Sequence, residues 1–168
     1  KFLISIDEEY GLLINLDPDK NVTKDWSIHV YGIDYTDGRY GKAFRFNGID
    51  SYIEVYNGSV FNFGINQDFT IMFWLKANPA EEGKTEVILD KRGTGRGPQP
   101  GFTILTPHWA SDMIHCVIDD GINQVVLQAD DVRDGRWHHI AVVADRSGDA
   151  VLYVDGEERD RKSITAVG

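Results

Sequence analysis

Apolar side chains recur at every second position through most of this chain, and that period restricts it to sheets. In DFTIMFWLKA, residues 68–77, Phe69, Ile71, Phe73 and Leu75 fall on one face of an extended strand, with Thr70, Met72, Trp74 and Lys76 on the other. KAFRFNG places Phe44 and Phe46 together, and SYIEV, TEVILDKR, GFTIL, MIHCVI and QVVLQA read as further strands rich in β-branched and aromatic residues. Turn-forming residues separate them at Asn57-Gly58, Gly64, Asp120-Gly121, Ser147-Gly148 and Asp155-Gly156. No helical period appears. Many short strands at close spacing predict an all-β sandwich or barrel.

At 168 residues the chain suits one domain with a proper core. Its net charge is −10, from 27 acidic and 17 basic side chains, which opposes nucleic acid and anionic membrane surfaces as partners. A neutral ligand, or a divalent cation held by carboxylates, is compatible with that charge. The single cysteine, Cys116, excludes an internal disulfide and reads as a buried thiol on the face of Ile114 and Ile118. The opening KFLISI gives way to Asp7, Glu8 and Glu9, too soon for a signal peptide or membrane span. A chain beginning without methionine is expected to be processed or excised from a longer one.

The stretch GRWHHIAVVADRSGDAVLYVDGEE, residues 135–158, holds two adjacent histidines that invite a metal or acid–base reading. On a strand, however, neighbours point to opposite faces, so Trp137 and His139 share one face while His138 joins Ile140 and Val142. Both cannot ligate one ion. A turn at Arg146-Ser147-Gly148 and a tight Asp155-Gly156 hairpin make the stretch a three-strand meander.

This stretch resembles the signature of the laminin-G-like domains of the concanavalin A-like lectin and glucanase superfamily: Trp-His-His, an Ile-Ala-Val strand, a turn, then Leu-Tyr-Val-Asp-Gly. DGRYGKAFRFNGIDSYIEV (residues 37–55), DFTIMFWLKA and GLLINLD (from Gly11) resemble the family's other strands in order. The resemblance covers about residues 11–158 and implies a jelly-roll sandwich of two antiparallel sheets. It gives a domain over 11–168 after a lead-in over 1–10. Nothing after Asp155 resembles the family's usual final strand, so an unpaired edge open to strand addition is one expectation.

The superfold hosts lectins, adhesion modules and hydrolases alike, so function must come from sites. The glucanase run of alternating carboxylates is missing. Its nearest counterpart, Glu86 and Asp90, shares a strand face at about 13 Å, beyond the about 5–9.5 Å of a glycosidase pair. No nucleophile elbow, phosphate loop or zinc-protease motif occurs, and no catalytic residue is assigned. The resemblance implies a structural Ca²⁺ held near the Phe-Asn-Gly-x-Asp segment, with Asn47 and Asp50 as oxygen ligands. Both residue types also shape tight turns unaided.

Sugar rings present apolar C–H faces between hydroxyls, so a glycan site needs a flat aromatic platform with a polar rim. Trp74, opposite Phe69, Ile71 and Phe73, and Trp109 with His108 in the turn-like TPHWASD are the candidate platforms. Arg96, in the glycine- and proline-rich loop 91–102, adds a cation, and Tyr52, Tyr56 and Asp120 are expected to contribute from loops. Asn21-Val22-Thr23 and Asn57-Gly58-Ser59 are sequons. The expectation is a non-catalytic, carbohydrate-binding module of an extracellular or surface protein. Its alternatives are an adhesion or structural domain contacting other chains of an assembly such as a surface layer, pilus or virion, and a divergent glycoside hydrolase.

Overall fold

The computed structural model describes residues 2–5 and 27–28 (backbone only), 29–56, 61–92 and 99–168. Among these every paired strand is antiparallel and no α-helix occurs, as the two-residue period requires. The strands fall into two compact units, residues 1–62 and 63–168.

In the first unit, β1 (Phe2–Ser5) pairs with β4 (Lys42–Arg45), which pairs in turn with β3 (Asp34–Asp37). A separate ribbon joins β2 (Ser27–Tyr31) to β5 (Tyr52–Tyr56). Ala43, Phe44 and Phe46 are buried here.

The second unit holds two four-stranded sheets. One runs β13 (Glu157–Ser163), β12 (Asp149–Val154), β11 (Trp137–Ala144), β6 (Phe69–Ala77). The other runs β10 (Gln124–Ala129), β9 (Ile114–Asp119), β8 (Gly101–Thr106), β7 (Glu86–Asp90). β11, β12 and β13 form the meander expected from the sequence, and Asp155 and Gly156 both take positive φ (54° and 85°) in the turn that joins the last two. Register puts Ile71, Phe73 and Leu75 beside Val142, Ile140 and His138 on one face, with Leu152 and Val154 continuing the row. On the facing sheet Ile104, Cys116 and Leu127 line up across β8, β9 and β10.

The rings of Phe69 and Phe102, one from each sheet, stack at 5.7 Å with Phe63 between 4.4 and 5.7 Å from them, joining the sheets through one core. Leu75, Ile104, Ile114, Leu127, Ile140 and Leu152 are almost wholly buried there. Each contributes about 1.5–3 kcal/mol relative to exposure, whereas an exposed pair such as Lys84–Glu81 contributes about 0–1 kcal/mol. The core therefore dominates. Cys116 lies within it, and burial pushes its thiol far above the usual range, which makes it inert.

The outer edge of β10 is covered by side chains of β13. Asp160 accepts a hydrogen bond from the Gln128 N–H (3.0 Å), Lys162 donates to the Val126 carbonyl (2.5 Å), and Arg159 donates to the Asp130 carbonyl (3.1 Å). Charged side chains on a neighbouring strand thus satisfy backbone groups that would otherwise template another strand. Beyond β13, Ile164 and Val167 are buried, and the Gly168 N–H donates to Asp120.

Two strand details depart from the simple alternation. A register irregularity between Val87 and Leu89 breaks the two-residue period that put Glu86 and Asp90 on a common face. Tyr52 and Tyr56, expected on loops, stand at the two ends of strand β5.

Candidate functional site

Three loops meet at one end of the second unit: residues 78–85 after β6, 107–113 after β8 and 130–136 after β10. Backbone hydrogen bonds tie them together. Ala80 N–H donates to the Ser111 carbonyl (2.7 Å), Gly83 N–H to His108 (3.2 Å) and Val132 N–H to Asp112 (3.2 Å). Loop 107–113 is therefore held by both neighbours, and the Ala110 N–H closes a turn onto the Pro107 carbonyl.

Behind the loops sits Arg133, 1% exposed. Its Nε donates to the Asn78 carbonyl (2.9 Å), its Nη1 to Thr106 Oγ1 (2.6 Å) and its Nη2 to Glu86 Oε2 (2.6 Å). One guanidinium thereby joins the ends of β6, β7 and β8, a use suited to its planar fork of donors. Burial tends to raise the Glu86 pKa, but the Arg133 hydrogen bond and charge outweigh it and hold the carboxyl below its usual range.

On this fixed loop Trp109 is 67% exposed. His108 meets its ring edge-on at 4.7 Å, and His115, at the start of β9, does so at 5.4 Å. His108 is exposed, while His115 is buried and its Nε2 has no hydrogen-bond partner among the described residues. Burial, and then the charge of Lys162, lowers the His115 pKa, favouring the neutral ring. The indole therefore presents apolar surface to solvent, flanked by the rings of His108 and His115.

A second histidine cluster stands at the same end. His138 is buried at 8% exposure, its Nδ1 2.7 Å from Asp155 Oδ2 and its Nε2 3.1 Å from Asp134 Oδ1. Asp155 also accepts from the His139 N–H (2.8 Å), and its own N–H donates to the His139 carbonyl (2.8 Å). Asp134 accepts from the Arg136 backbone and side chain as well. Burial opposes ionisation of both carboxyls. These hydrogen bonds outweigh it, holding Asp134 down at about 2 and Asp155 below its usual range. Facing carboxylates separated by an open gap would suit a hydrolase, but here the imidazole fills the space between them. His138 fastens the β12–β13 turn and loop 130–136 onto β11.

His139, on the other face of β11, stands opposite Trp74, the rings 5.2 Å apart. Trp74 is half-buried, so its ring offers less free surface than Trp109. Arg96 lies outside the described residues, as do both sequons and the GLLINLD stretch. The stems of its loop are fixed by Asp119, whose buried carboxylate accepts from Arg92 Nη2 (3.0 Å), Gln99 N–H (3.2 Å), Gly121 N–H (2.7 Å) and Gln124 Nε2 (2.9 Å). Those stems precede β8 whereas Trp109 follows it, which sets them at opposite ends of a six-residue strand, about 17–20 Å long. Asp120, at the stem end, is occupied by the N–H groups of Ile122, Asn123 and Gly168.

In the first unit Asn47 Oδ1 accepts from the N–H groups of Ile49 (2.8 Å), Asp50 (3.1 Å) and Ser51 (3.2 Å) and from Ser51 Oγ (3.0 Å). Its Nδ2 donates to Asp50 Oδ1 (2.8 Å). Calcium needs six to eight oxygens with lone pairs to spare, and the Asn47 oxygen has none left. As arranged, the pair fits a self-contained Asx-type turn and does not fit the ion. Among the described residues no three His, Cys, Asp or Glu side chains gather as a metal site. Among the described residues no helix is long and apolar enough to cross a membrane.

Sequence patterning alone did not single out Arg133, Asp119 or His115, because each acts through partners distant along the chain. For Arg133 the nearest signal was its place just before the Trp-His-His strand.

Comparison with known proteins agrees with this architecture. The sequence profile of the laminin-G-type Concanavalin A-like lectin/glucanases superfamily matches residues 47–167, well over half of the chain. A curated relative, the non-toxic nonhemagglutinin of Paraclostridium bifermentans, is 22% identical over 95% of the chain, which spans 14% of that protein's length. Among solved structures, the binding domain of Paraclostridial Mosquitocidal Protein 1 superposes with a TM-score of 0.68 at 20% identity, covering 99% of this chain and 40% of that one. The receptor-binding domain of botulinum neurotoxin C/D mosaic serotype gives 0.67 at 16% identity, covering 84% and 35%. At such identities the structural likeness establishes the fold.

Proposed function

The chain belongs to the concanavalin A-like lectin/glucanases superfamily, and from that premise we propose that it is a non-catalytic binding domain of a larger extracellular protein, with carbohydrate as its ligand. The observation that carries this reading is Trp109: a 67% exposed indole on a loop fastened to both neighbouring loops. A fixed aromatic plane accepts the C–H face of a pyranose without further ordering of the protein, so less of the binding free energy goes into immobilising side chains. His108 supplies a polar group at the rim. The description of two similarly folded chains as binding domains, one of a botulinum neurotoxin and one of Paraclostridial Mosquitocidal Protein 1, supports the general class.

Catalysis has no place in this reading, since Asp134 and Asp155 are committed to His138 and Glu86 to Arg133. Calcium has none either, because the Asn47–Asp50 turn is held by its own hydrogen bonds. The test is a glycan array probed with the wild-type chain and with Trp109→Ala, each with calcium and with chelator. The expected result is binding that survives chelation and disappears in the variant. Silence across the array from a folded sample would transfer the function to protein contacts within an assembly.

A further inference from the structure

The β2–β5 ribbon of the first unit carries a second exposed aromatic surface, of different chemistry. Its register sets Ser27 opposite Tyr56, His29 opposite Glu54 and Tyr31 opposite Tyr52. Alternation then places His29, Tyr31, Tyr52, Glu54 and Tyr56 on one face. Tyr31 and Tyr52 stack with centroids 4.4 Å apart at 22°, and His29 meets Tyr56 at 4.6 Å and 60°. The tyrosines are 38%, 48% and 43% exposed for Tyr31, Tyr52 and Tyr56, and Glu54 between them is half-buried.

The hydroxyl of Tyr56 is hydrogen-bonded to Glu54 and to Tyr31, and these bonds push its pKa up to about 12, so the ring stays neutral. A sugar depends on unpaired donors and acceptors around an aromatic face. Here the Tyr56 hydroxyl is engaged with Glu54 and Tyr31, and the exposed tyrosine rings stand beside the Glu54 carboxylate. Primary ammonium and guanidinium groups would surrender hydrogen bonds to water on this surface. A quaternary ammonium has none to lose, and its polarised N–CH₃ groups are attracted to aromatic faces and to carboxylate charge.

We propose that the tyrosine face of the β2–β5 ribbon binds an organic quaternary ammonium group, with Tyr31, Tyr52 and Tyr56 contacting its methyls and Glu54 balancing its charge. The site is independent of the carbohydrate reading and stands in the other unit. Exposed contacts of this kind place the dissociation constant on the order of millimolar.

The test is an NMR titration of tyrosine ring signals with choline chloride at constant ionic strength, beside 3,3-dimethylbutan-1-ol, which has the same shape without the charge. Saturable shifts are expected with choline, at least tenfold weaker with the alcohol. Tyr52→Phe should retain binding, Glu54→Gln should weaken it several-fold and Tyr52→Leu should abolish it, while Trp109→Ala leaves it unchanged. Because Tyr52→Leu could unfold the ribbon, the two conservative variants carry the decision. Equal response to choline and its neutral isostere, or choline affinity unaltered by Glu54→Gln, would overturn the proposal. Co-sedimentation with phosphatidylcholine vesicles separates the sources: association identifies a lipid headgroup, and choline binding without it identifies a soluble ligand.

Discussion

Two histidine-bearing clusters at one end of the second unit use similar groups to opposite ends. Around His138 both ring nitrogens face carboxylates, and the ring is buried. Around Trp109 the indole is exposed, touched only at ring edges by His108 and His115 among the ring contacts described. Buried polar groups that are satisfied hold a fold together. Surface left unpaired on a fixed backbone is available to a ligand. The first cluster holds the fold together and the proposed function puts recognition at the second, so the two roles can be separated by mutation.

The largest effect is expected behind both clusters. Arg133→Ala would leave Glu86 without its cation and the Asn78 carbonyl without its donor, a loss of about 3–5 kcal/mol measurable by denaturant unfolding. Loops 78–85 and 107–113 lean on those contacts, so this variant should lose stability and binding together. His138→Ala should cost about 1–3 kcal/mol, while a folded sample keeps the Trp109 loop and the binding proposed for it. If His138→Ala abolished binding at full stability, the assignment of roles would be reversed.

Acid provides an intermediate test. The carboxyls of Asp134 and Asp155 are held below their usual range in the folded chain, Asp134 at about 2. Their stabilisation is therefore complete above the unfolded value of about 3.9 and is lost as pH falls through the folded value. Stability should drop between about pH 4 and pH 2, and Asp134→Asn should flatten that fall relative to its own value at neutral pH. The smallest stability effect belongs to Trp109→Ala, which gives up two edge-on ring contacts at an exposed site, about 1 kcal/mol or less.

Much of the fold was legible because alternation and turn chemistry are local. The faces of His138 and His139 followed from strand geometry, and Asp155-Gly156 marked its own hairpin. The apolar face of β6 was readable in the same way. The polar fastenings were not. Arg133 reaches partners 27 to 55 residues away along the chain, and Asp119 meets Arg92 across 27, so no window of sequence contains both sides. Trp109 was legible as a tryptophan in a turn, yet its fixed backbone depends on Ala80, Gly83 and Val132 from two other loops. The donors to the Asn47 oxygen lie two to four residues further along the chain, so this turn lay within one window of sequence. Tyr52 and Tyr56 were noticed as aromatics, but their meeting with Tyr31 required the pairing of β2 with β5.

Under the proposed function recognition and stability reside in different clusters, and measuring both in the same samples separates them. The affinity of an array-identified glycan and the unfolding free energy would be determined for wild type, Trp109→Ala and His138→Ala. Trp109→Ala is expected to lose binding with stability nearly unchanged, and His138→Ala to lose stability while its folded fraction binds normally. Normal glycan affinity in Trp109→Ala would contradict this.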